Sequence, residues 1–189
     1  MDQRELIQAY ERGFAARLAS RVLTKPRLNA WMIFIPFIFI FYFQDFSKWK
    51  KQRKAFIDNW MLSRKRMLNE TLHALDEDRK PDIGGLCEVA DLPEKAQKHY
   101  SRLLRILAGH YTVLLKAGAD DYPGLVRSAY QGKKGDYLFF INQLLDAEKA
   151  LNNSLAPQLK KTNPDVGQTI SKIETQADQI RRQEIEDFF

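Results

Sequence analysis

Fourteen consecutive residues, Ala30 to Phe43, carry no charge, and basic residues crowd both ends of the run. No other stretch constrains the fold as strongly. As a helix it would be about 21 Å long at ~1.5 Å per residue. Extension to Leu28–Phe46 gives about 28 Å but admits Asn29, Gln44 and Asp45. A bilayer's hydrocarbon core needs about 30 Å and about 20 apolar residues. Pro36 stands mid-run and predicts a kink if the run is helical. Three foldings fit: a single transmembrane helix, a re-entrant hairpin bent at Pro36, and a buried core element of a soluble protein. The residues expected to form the anchor are Trp31, Ile33, Phe34, Pro36, Phe37, Phe39, Phe41 and Tyr42. Trp31 and Tyr42 lie near its ends, where interfacial aromatics are expected. The residues after Phe43 offer no small-residue cleavage site, which argues against a signal peptide.

Charge supports a membrane surface. Residues 1–80 carry 16 Lys and Arg against nine Asp and Glu, whereas the remainder carries 14 against 15. The basic half is the half with the apolar run. Arg27, Lys48, Lys50, Lys51, Arg53 and Lys54 are the expected contacts for anionic lipid. Basic flanks on both sides suit a hairpin with both ends at one leaflet. For a span, the larger count after Phe43 places the C-terminal domain in the cytoplasm.

The rest reads as helix. In residues 2–23, Leu6, Ile7, Tyr10, Phe14 and Leu18 share one face and arginines occupy the remainder, so this helix is expected at the membrane interface. A long helix follows over 46–75, with Phe46, Trp49, Phe56, Trp60, Met67 and Leu75 in one stripe. Asp76 to Leu92 reads as a connector. Asp91 and Glu94 have capping-box spacing before a helix that runs toward Gly118. A short helix is expected over 122–130 and another from Asp136, with Pro157 and Pro164 bracketing a polar linker. In the last helix, about 165–187, Val166, Ile170, Ile173, Ala177 and Ile180 form a narrow seam suited to a partner helix or to self-association.

The fold class expected is therefore mainly α: an N-terminal amphipathic helix and apolar membrane segment, then an antiparallel helical bundle. The expected divisions are a membrane-associating unit over 1–45, a bundle over 46–156 and a C-terminal helix over 157–189.

Marked chemistries are absent. Glu70 and His73 make one E-x-x-H motif, but a di-iron site needs a second. His99 and His110 lie about 16 Å apart along one helix at ~1.5 Å per residue. Asp76, Asp78 and Asp82 start like a calcium loop, but Pro81 and Cys87 stand where that loop needs Gly and Glu. Gly132 to Gly135 lacks phosphate-loop spacing. One cysteine, Cys87, rules out an internal disulfide. No catalytic residue, metal site or cofactor is expected. The function expected is a non-enzymatic, membrane-anchored scaffold or adaptor at the cytoplasmic membrane that presents a helical domain to a protein partner. The rivals are a lipid-modifying enzyme with a re-entrant anchor, leaning on Asp45, and a soluble basic protein binding nucleic acid through Lys48–Lys54 and its aromatics.

Overall fold

The computed structural model describes residues 2–23, 36–90, 92–162 and 166–189, with the backbone alone for 36–47, 158–162 and 166. Seven helices account for nearly all of these residues: α1 (Gln3–Val22), α2 (Pro36–Asp76), α3 (Ile83–Val89), α4 (Glu94–Lys116), α5 (Tyr122–Ala129), α6 (Lys134–Thr162) and α7 (Val166–Phe188). No strand occurs among the described residues.

Cross-helix contacts fix the directions of the long helices. Arg4 Nη2 reaches Asn69 Oδ1 at 3.1 Å and Trp49 Nε1 reaches Leu23 O at 3.4 Å, so α1 and α2 are antiparallel. Tyr111 bonds Glu11, and Gln3 bonds the Ala117 carbonyl, which sets α4 antiparallel to α1. Lys172 bonds the Val22 carbonyl and Tyr10 bonds Glu184, so α7 is also antiparallel to α1. Asn152 to Glu174 and Lys134 to Glu186 pair α6 with α7 in the same sense. The short α3 and α5 are corner pieces, capped by Asp82 on Gly85 N and Asp121 on Gly124 N.

The first helix departs from its expected place. Ile7, Phe14, Ala15, Leu18 and Ala19 are at most 1% exposed. Phe14, Leu18 and Val22 pack with Ala177 and Ile180 of α7, while Ala15 and Ala19 pack with Ile57 and Met61 of α2. Two neighbours therefore use two faces of α1. Its apolar stripe is core rather than a membrane-interface face, because α2 and α7 offer matching stripes. Each large apolar side chain buried here contributes about 1.5–3 kcal/mol, as an upper bound. Helix α1 shares a core with α2, α4 and α7, and α2 runs unbroken through residue 45.

Three local expectations also change. The connector after Asp76 contains α3. Helix α4 begins after Pro93, which gives no side-chain cap, and Asp91 lies outside the described residues. Helix α6 continues through Pro157 to Thr162. Pro157 has no N–H for the Asn153 carbonyl, but both residues are exposed, so water can satisfy that carbonyl. The kink expected at Pro36 depends on preceding residues that lie outside the described ones.

Candidate functional site

The described residues of the expected lipid contact lie at the end of the bundle where α1 stops. The register that sets Trp49 beside Leu23 leaves α2 running back to Pro36 beyond the end of α1, about 20 Å at ~1.5 Å per residue. Along the next turns Lys48, Lys50, Lys51 and Lys54 are exposed and Arg53 is half-buried. Lys54 pairs with Asp58 one turn on, at 3.1 Å. Trp49, Phe56 and Trp60 turn inward. Phe56 and Trp60 pack on the Phe14 cluster, with Trp60 stacked on Phe14 at 5.5 Å. Among the described residues, the aromatic and basic side chains thus divide between inside and outside, and no aromatic row is displayed for stacking bases.

Arg27, Trp31, Ile33 and Phe34 lie outside the described residues. Pro36, Phe37, Phe39, Phe41 and Tyr42 fall in the first turns of α2, where the backbone alone is described. Among the described residues, no helix is long and apolar enough to cross a membrane.

The α7 seam is corrected in part. Ala177 and Ile180 are 2% and 3% exposed against α1, and Ile173 packs beside them. They meet α1 instead of a partner helix because Phe14, Leu18 and Val22 supply a complementary stripe. Ile170 is half-buried, and Val166 is the first residue of α7.

A second constellation escaped sequence reading. Glu11 of α1, Arg64 of α2, Glu148 of α6, and Arg181 and Glu184 of α7 meet inside the bundle. Arg181 grips Glu148 with two bonds, of 2.7 and 3.0 Å, and Arg64 bonds the same carboxylate. Arg64 Nε lies 3.0 Å from Glu11 Oε2 without a well-directed hydrogen bond. Tyr111 donates to Glu11 at 2.8 Å and Tyr10 to Glu184 at 2.7 Å, and Arg17 closes the set from the surface onto Glu184. The guanidinium of Arg64 also lies 3.9 Å over the Trp60 ring.

Burial alone would push the Glu148 carboxyl up, but Arg181 and Arg64 outweigh it and hold it below its usual range. At Glu184 burial wins over the Tyr10 bond and Arg17, so that carboxyl is raised. His110 is buried against Phe140, with ring nitrogens 2.8 Å from Tyr130 Oη and 3.3 Å from Tyr122 Oη. Burial, helped by the Arg181 charge, lowers its pKa to about 3. The space enclosed among these groups is 10 Å³, about enough for one water. This centre has no room for a substrate and acts as a lock between four helices.

The remaining candidates are placed simply. Glu70 accepts from Arg79 and from Asp82 N, which closes the turn after α2. His73 is exposed one turn after Glu70. Among the described residues no cluster of His, Cys, Asp and Glu could hold a metal. Cys87 is half-buried, and burial raises its thiol pKa.

The charged centre did leave a trace in the sequence: Glu11 lies four after Ile7 and three before Phe14, and Arg64 lies four after Trp60 and four before Leu68. Charges in the register of an apolar stripe mark it. No family model matches the chain, and neither a curated protein nor a solved structure matches it.

Proposed function

We propose that the chain is a non-enzymatic scaffold or adaptor held to an anionic membrane surface, at the cytoplasmic membrane with most of the chain on the cytoplasmic side. The observation that carries this reading is the basic end. The start of α2 extends beyond α1, and its next turns expose Lys48, Lys50, Lys51 and Lys54, with Arg53 half-buried beside them, while Trp49, Phe56 and Trp60 turn inward. Anionic lipid would meet Arg27, Lys48, Lys50, Lys51, Arg53 and Lys54. The apolar run from Trp31 to Tyr42 would enter the bilayer, as a span or as a re-entrant hairpin. With the α7 seam largely turned inward, the surface left for a protein partner includes the outer side of α6, where Phe139 is 63% exposed.

The test is flotation of the full-length chain with vesicles of phosphatidylcholine, alone or with one part in five phosphatidylglycerol. The expected result is co-flotation that is stronger with the anionic lipid and survives a high-salt wash, because salt screens the cations and leaves the apolar contact. Full release into the aqueous phase at high salt, without detergent, would refute the anchor.

A further inference from the structure

We propose that the cleft between the end of α1, α2 and the first turns of α7 seats the phosphodiester headgroup of one anionic phospholipid. This rests on the membrane reading above and adds to it a site with one-to-one occupancy. The cleft has a volume of 270 Å³ and is lined by Val22, Leu23, Gln52, Gln168, Thr169 and Lys172.

The chemistry of the lining favours an anion. It offers one ammonium, two carboxamides and one hydroxyl, with two apolar side chains and no carboxylate. A basic surface gives a phosphate only charge, whereas neutral donors around a cation give it directed bonds. The end of a helix ordinarily repels an anion, because its last carbonyls are exposed. Here the Val22 carbonyl and that of the following Leu23 are covered. Lys172 Nζ donates to Val22 O at 2.8 Å, and Trp49 Nε1 donates to Leu23 O at 3.4 Å. That bond fixes Lys172 and leaves its other ammonium hydrogens for a ligand. Glu174, the carboxylate nearest to Lys172 in sequence, accepts from Asn152, and Asp58 of α2 pairs with Lys54.

The position selects a lipid over free phosphate. Lys48 precedes Gln52 by one helical turn, so it lies on the same side of α2 at the rim toward the apolar run. Val22 and Leu23 form an apolar wall that suits a glycerol backbone and wastes binding surface on a bare ion.

The test follows the side-chain amide signals of Gln52 and Gln168 by NMR in the full chain. Dihexanoylphosphatidylglycerol is titrated below its micelle concentration, with inorganic phosphate as the second arm. Saturable shifts with the lipid at one equivalent, and a weaker response to phosphate, support the seat. Lys172→Gln should weaken the lipid about tenfold through loss of a charge-assisted bond. Thr169→Leu, which fills the cleft without touching the Val22 bond, should abolish the shifts. Lys116→Gln, the same charge change on α4 outside the cleft, should leave them intact. Flat Gln52 and Gln168 signals, equal affinity for phosphate, or equal weakening by Lys116→Gln would overturn the proposal. Flotation with a flat titration would refute the seat and spare the anchor. A saturable titration without flotation would do the reverse.

Discussion

Inside the bundle Glu148 holds two guanidiniums, while on the outside of α2 Lys51 and Lys54 stand in water. Both regions concentrate charge, and the surroundings make it do different things. The inner set brings Glu11, Glu148 and Glu184 against Arg64, Arg181 and the more exposed Arg17. At low dielectric each of these must find its partner, so the set specifies how α1, α2, α6 and α7 line up more than it adds net stability. The outer set is screened by salt and contributes little to folding. It is suited to meet a surface of opposite sign.

The largest test of this contrast is Glu148→Ala. It leaves two buried guanidiniums without their shared carboxylate. The expected loss is about 3–5 kcal/mol in urea unfolding. A loss below about 1 kcal/mol would mean that water reaches the centre and the inner set resembles the outer one. The quadruple replacement Glu11→Gln, Arg64→Met, Glu148→Leu and Arg181→Met should recover most of that loss, since it also removes the carboxylate that Arg64 paired and leaves only Glu184, which keeps Arg17 and Tyr10.

Acid separates the regions next. The unfolded chain protonates His110 near its ordinary pKa of about 6.5, whereas the folded chain refuses the proton down to about 3. The unfolded state therefore binds more protons between those limits, and stability falls as pH falls, by about 1.4 kcal/mol per unit. Glu148, with its lowered pKa, adds loss in the same direction once pH drops through the carboxylate range. Glu184 works against both: with its raised pKa, its contribution is full below the unfolded carboxylate pKa and is lost as pH rises through the folded value. The groups facing His110 are Tyr122 and Tyr130 by hydrogen bond, Phe140 by stacking and Arg181 by charge. His110→Phe keeps the ring stack and should flatten the slope between pH 7 and pH 5. Equal slopes in both proteins would show that His110 is hydrated in the folded state.

How far each region was legible follows from the same physics. Helix periodicity reads side chains one element at a time. It found the faces of α1, α4, α5 and α7 because their apolar residues recur at three and four. It did not find what covers them, so α1 and the α7 seam were each assigned an outside partner although they cover one another. Pro157 argued for a linker because propensity ignores the exposed position that lets water replace the lost bond. The inner charges were hidden because a composition count treats Arg64 like Lys65, and only their place on an apolar stripe distinguishes them. The basic shoulder at 48–54 was plain, since its charge is dense and almost unopposed.

On that shoulder, Lys51→Gln should cost about 1 kcal/mol in binding to anionic vesicles, close to fivefold in partition. Its urea midpoint should not move beyond error, because Lys51 is exposed. Any unfolding change above about 0.5 kcal/mol would show that the outer charge also shapes the fold.

The smallest effect is the most discriminating. Asp58 is the single carboxylate between residues 46 and 66, and it pairs with Lys54 at 3.1 Å with both side chains largely exposed. Such an i,i+4 pair is worth about 0.3–0.5 kcal/mol. Asp58→Asn should therefore lower stability by no more than that. The same change removes a negative charge from the face proposed to meet anionic lipid and releases Lys54, so vesicle affinity should rise by severalfold at low salt and converge with the parent at high salt. Opposite signs for stability and binding from one substitution are what a surface-directed charge set predicts. If both fall together, Asp58 helps to place the cations, and the outer set is organised in the way the inner one is.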